Sequence, residues 1–115
     1  MADLDERAEA HLVAARGDER GRSAELLVRD GPLRQTVIAL TAGSVLEEHN
    51  TPDAASIQVL RGRVRITGPQ TIEMGAGDLQ TLAHDRHGVL AIQDAVLLLT
   101  AVTGVGPTGG PERAR

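Results

Sequence analysis

From residue 23 to residue 102 the apolar runs are short, and each is stopped by turn-forming residues. The runs are 23–29, 33–40, 44–48, 55–60, 63–67, 71–74, 79–83, 88–93 and 95–102. Between them stand breaks such as Asp30-Gly31-Pro32, Thr51-Pro52-Asp53, Gly68-Pro69-Gln70 and Gly75-Ala76-Gly77-Asp78. A helix needs a sustained period of 3.6, which this cadence forbids. β-Branched runs of this length, separated by frequent Gly and Pro turns, predict an all-β sandwich or small barrel. The clearest alternation sets Arg61, Arg63 and Arg65 against Val64 and Ile66, one wet face and one dry.

Residues 3–16 read differently. Asp3 is placed to cap a helix, with Glu6 at capping-box spacing. Leu4, Ala8, Leu12 and Ala15 fall on one thin stripe, and Gly17 fits the position just past the helix end. The chain therefore divides into a helix and linker over 1–21, a barrel over 22–102 and a tail over 103–115. The tail is rich in Gly and Pro without an apolar run and reads as disordered. The helix is expected to pack outside the barrel or across a dimer. The alternative is a plug over the barrel mouth, with His11 reaching in.

Composition removes several chemistries. There is no Cys, Trp, Tyr or Phe, and all 12 basic residues are Arg. Thiolate nucleophiles, Schiff bases and aromatic stacking platforms are excluded. A net charge of −4 provides no general attraction to nucleic acid or an anionic membrane. No apolar stretch approaches the roughly 20 residues needed to span a bilayer, and the acidic start has no signal-peptide core. These features predict a cytoplasmic protein without nucleic-acid or membrane partners.

Residues 43–62 contain Gly43, His49 and Gly62, in the order and spacing of the first cupin motif. Residues 77–89 contain Gly77, Asp78 and His87, which match the second motif with one residue deleted from its turn. Over residues 22–102 the chain thus resembles a small cupin. The resemblance implies a double-stranded β-helix, a jelly-roll-like barrel that is commonly a homodimer. It also implies a metal held by the His-x-His pair and Glu of motif one and the His of motif two. Carried across, those positions are His49, Thr51, Ala55 and His87, and the Pro of motif two is Ala83.

Two imidazoles survive from four ligands. Thr51 is a poor ligand and Ala55 is none, whereas catalytic zinc or iron takes three protein groups. Glu47 is a candidate third ligand, because strand periodicity would place it on the face of His49. His84 is another, three residues before His87. The competing reading makes His49 and His87 relict polar groups at a cavity mouth. Loss of the buried carboxylate at Ala55 accords with a site that has given up tight metal binding. The expected ligand-binding residues are His49, Thr51 and His87. Any divalent ion (Zn, Fe, Mn or Ni) would be held weakly by His49 and His87.

Other motifs read as structural. Gln58 should face away from Ala55, Ile57 and Val59, toward packing or a dimer contact. The Arg61, Arg63 and Arg65 ladder reads as a solvated strand face. Gly75 to Asp78 lacks the helix and Lys of a phosphate loop and reads as a turn. Ser23, Ser44 and Ser56 show no triad spacing. Leu97, Leu98 and Leu99 cannot all enter one core, which supports a homodimer. The leading expectation is a cupin-fold module that binds a small molecule in the barrel, in an accessory or sensory role. The alternatives are a metal-dependent dioxygenase or isomerase using His49 and His87, and a ligand-free structural dimer.

Overall fold

The computed structural model describes residues 1–50, 54–82 and 86–104, leaving out the side chains of residues 49 and 50. Thr51, Ala83 and His84 lie outside the described residues, as does the expected disordered tail from 105 onward. Among the described residues, helix α1 (Leu4–Arg16) precedes nine strands: β1 (Arg22–Asp30), β2 (Leu33–Leu40), β3 (Val45–Asn50), β4 (Ala54–Arg61), β5 (Arg63–Thr67), β6 (Ile72–Gly75), β7 (Leu79–Thr81), β8 (Arg86–Ala91) and β9 (Ala95–Val102). Each apolar run of the sequence is a strand. They form two antiparallel sheets, one ordered β1-β2-β9-β4-β7 and the other β3-β8-β5-β6.

Strand alternation creates two cores. Leu40, Ile57, Val59 and Leu97 of the five-stranded sheet meet Val64, Ile66, Val89 and Ala91 of the four-stranded sheet. The residues between them in sequence point the other way. Val37, Ala39 and Val96 are fully buried beneath Ala8, Leu12 and Ala15 of α1, with Leu27 and Leu60 alongside. The helix thus lies on the outer face of the five-stranded sheet, which rules out the plug. Leu4, expected on the buried stripe, is exposed.

Asp3 caps the helix, its Oδ1 accepting from the backbone N–H groups of Asp5 (3.0 Å) and Glu6 (3.2 Å). Gly17 does not take the left-handed conformation common just past a helix end; its φ is −95°. The left-handed residue is Gly21, at φ 70°, where a Cβ would strike the Thr41 and Ser44 hydroxyls. The chain turns there into β1.

The arginine ladder is not one strand face. Gly62, at φ 75° and packed against the Asp94 carbonyl, sends the chain from one sheet to the other. Arg61 ends β4 and donates to Glu9 of α1 at 2.9 Å, while Arg63 and Arg65 lie on β5 and share Glu73 of β6 at 3.7 and 2.9 Å. Alternation through residue 62 could not reveal the change of sheet. The segment Gly75 to Asp78 is a turn: Asp78 N–H donates to Gly75 O, and Asp78 Oδ2 accepts from Gly75 N–H at 2.9 Å.

Candidate functional site

Between the sheets the inner core leaves a cavity of about 300 Å³. Its wall follows strand parity: Ala55 and Ile57 come from β4, His87 and Val89 from β8, and Leu97 and Leu99 from β9. Among the described residues, Ile38, Leu46, Ile66 and Leu82 add to the apolar lining, and the ionisable lining residues are Arg22, Glu47 and His87. The position that the family resemblance assigns to a carboxylate is Ala55, nearly buried on this wall.

Backbone register sets His49 of β3 directly opposite His87 of β8. Between Leu46, opposite Val89, and His49 the register shifts, so β3 carries an extra residue at Glu47 or Glu48. The strict alternation invoked to align Glu47 with His49 therefore does not hold. Glu47 reaches the cavity through the bulge, and consecutive Leu46 and Glu47 both line it. His87 Nδ1 is buried against Gly68; a Cβ on Gly68 would lie 3.1 Å from that nitrogen and 2.7 Å from the Arg86 carbonyl. Glycine lets the turn after β5 close over the imidazole.

Among the described residues no three His, Asp or Glu side chains converge. The described donors at the cavity are Glu47 and His87, short of the three that a catalytic zinc or iron site takes. Glu47 and His87 alone do not make a metal centre; the His49 side chain, Thr51 and His84 lie outside the described residues.

Arg22 was not singled out from the sequence. It opens β1 opposite Leu40, so it shares the inner face, while Ser23 and Glu25 face α1. Finding it requires the β1–β2 register, which no local motif announces. Asp18 fixes the entry to β1 by accepting from the backbone N–H groups of Arg20 and Arg22, at 2.9 and 3.1 Å. Those bonds, that of Arg22 foremost, lower the Asp18 pKa from its ordinary value.

Ser23 shows no triad spacing in the sequence, yet the fold places it in a hydrogen-bonded chain with a histidine and a carboxylate. His11 Nδ1 lies 2.7 Å from Ser23 Oγ, and His11 Nε2 lies 2.8 Å from Glu25 Oε1. Arg7 joins the same carboxylate at 3.3 Å. The bond from His11, then that from Arg7, lowers the Glu25 pKa. The chain runs along the seam between α1 and β1, on the side of the sheet away from the cavity, and braces the helix. Sequence spacing hides it because its members come from two elements.

Several solved structures have the same arrangement of strands. A conserved protein of unknown function from Streptococcus pyogenes superposes with a TM-score of 0.68 at 24% identity, over 77% of this chain and 80% of that one. A cupin-2 domain protein from Shewanella frigidimarina superposes at 0.69 and 11% identity, over 89% of this chain and 94% of that one. The chain has the cupin fold. Salicylate 1,2-dioxygenase from Pseudoaminobacter salicylatoxidans carries the fold too, at a TM-score of 0.72 and 18% identity, over 86% of this chain and 33% of that one. Identities this low establish architecture alone, and one fold hosts many chemistries. No protein-family model and no curated protein matches the chain. Among the described residues, no helix of this cupin-fold chain is long and apolar enough to cross a membrane.

Proposed function

We propose that this cupin-fold chain binds a small organic molecule in its barrel, in an accessory or sensory capacity. The observation that carries the reading is the cavity itself. Its volume of about 300 Å³ equals roughly ten water volumes, and nine of its twelve described lining residues are apolar. A mostly apolar, concave lining with a few ionisable groups is the usual composition of a small-molecule pocket. A metal-dependent enzyme of the dioxygenase or isomerase type is the second reading, favoured by His49 standing opposite His87. Ala55 on the cavity wall argues against it.

Thermal melting with a panel of monocyclic and short-chain organic compounds tests the first reading, run beside the cavity-filling variant Ala55→Leu. At least one compound should raise the midpoint of wild type and leave the variant unmoved. A panel without effect on wild type overturns the reading. So does retention of one full equivalent of Zn, Fe, Mn or Ni through dialysis. We also propose a homodimer, because Leu26 on edge strand β1 and Val45 on edge strand β3 are exposed apolar residues. Light scattering that reports a monomer at micromolar concentration would refute it.

A further inference from the structure

The arginines of this protein divide by whether their charge is answered. Among the described residues, half-buried Arg7, Arg61 and Arg65 each meet a carboxylate. Half-buried Arg34 donates to the carbonyls of Gly31 and Leu33. Exposed Arg16 and Arg63 also have acidic partners, and Arg86 donates to the Glu48 carbonyl. Arg20 and Arg29 are exposed, where water answers the charge. Arg22 is different. It is half-buried and lines the cavity, and no side chain among the described residues forms a hydrogen bond or close ion pair with its guanidinium; Asp18, which accepts from its backbone N–H, acts on its charge only through space.

A guanidinium beside an apolar cavity is a costly arrangement unless an anion completes it. Its planar fork matches a carboxylate through two parallel N–H···O bonds. From this we infer that Arg22 is the anion-recognition residue of the cavity, and that the ligand is a small apolar monocarboxylate. The inference rests on the barrel being a ligand site and names the class of molecule it takes. The ligand's hydrocarbon part would lie against Ile38, Ile57, Leu97 and Leu99, and its carboxylate at Arg22. Glu47, from the opposite sheet, also lines the cavity. Arg22 is the one arginine among the described lining residues, so the cavity offers a single fork for a single carboxylate.

Calorimetric titration with straight-chain carboxylates of about four to eight carbons, sized to the cavity, and with the matched primary amides isolates the charge contribution. Wild type should bind the best carboxylate about ten- to a hundredfold tighter than its amide, the range for hydrogen bonds to a charged group. Arg22→Gln should bind both equally, near the wild-type affinity for the amide, so retained amide binding also shows that the variant is folded. Arg22→Lys, which keeps the charge and loses the fork, should show an intermediate preference. Equal affinity of wild type for carboxylate and amide, or a preference that survives Arg22→Gln, overturns the role of Arg22 and leaves the cavity reading standing. Failure of wild type to bind any acid or amide overturns this inference, while other compounds raising the wild-type midpoint would keep the cavity reading.

Discussion

On β9, Val96 and Leu97 are neighbours in sequence and serve opposite sides of one sheet. Val96 is sealed under α1, and Leu97 borders the cavity. The outer side is closed by small residues at close range: Ala8 and Ala15 of the helix against Val37 and Ala39 of the sheet. Its rim is closed by charge, with Arg7, His11 and Arg16 of α1 bound to Glu25 and Asp94, and Glu9 of α1 bound to Arg61. The inner side is packed around Leu40, Val59 and Val64 and left hollow toward Arg22, Glu47 and His87. One face is therefore densely packed, and the other leaves a cavity.

The largest expected effect falls on the closed face. Leu12→Ala removes the one large residue that α1 buries there, at a cost of about 2–5 kcal/mol in chemical denaturation. A loss below about 1 kcal/mol would show that the helix can collapse onto the sheet and that the face is not tightly packed. A narrow stripe still covers three fully buried sheet residues, and the sequence cannot show what a helix covers.

Adding volume separates the faces next. Ala15→Leu has no space to enter and should destabilise by about 1–3 kcal/mol. Ala55→Leu points into the cavity and should cost less than about 1 kcal/mol while abolishing ligand binding. Equal penalties at the two alanines would mean that the cavity is not a persistent feature of the fold.

The regions where sequence and structure agree share a physical basis. Turn residues such as Gly31-Pro32 and Gly75 to Asp78 act locally, so the nine strands could be delimited from single-residue preferences. Alternation from Ala55, which the family resemblance sets inward, likewise assigned Ile57 and Val59 inward, and both are buried. The misses are non-local. The bulge at Glu47–Glu48 has no side-chain signature, Gly62 redirects the arginine ladder through its backbone, and His11 finds Ser23 across two elements. Arg22 becomes a cavity residue only through its pairing with Leu40. Of the cavity wall, Ala55 and His87 were placed by motif resemblance, and Arg22 was not.

The smallest effect is in pH. The Glu25 pKa is lower in the folded protein, mainly through its bond from His11. Its contribution is therefore present above the ordinary carboxylate value of 4.5 and is lost as pH falls through the lowered one. Acidification should loosen α1 before the barrel, seen as earlier hydrogen exchange of the helix amides below that range. Glu25→Gln should weaken this pH dependence without altering ligand binding, leaving the part carried by Asp94, whose pKa is lowered by the Ala42 N–H and then by Arg16 of α1. A helix that loosens in step with the barrel would show that the brace does not act separately from the inner core.

Methyl-resolved NMR under xenon pressure compares the two faces most directly, because xenon enters apolar cavities without needing a polar partner. The methyls of Ile57, Leu97 and Leu99 should shift in a saturable manner, while those of Leu12, Val37 and Val96 remain in place. Shifts of similar size on both faces, or none at the cavity, would contradict a barrel that is hollow on one side of the sheet and sealed on the other.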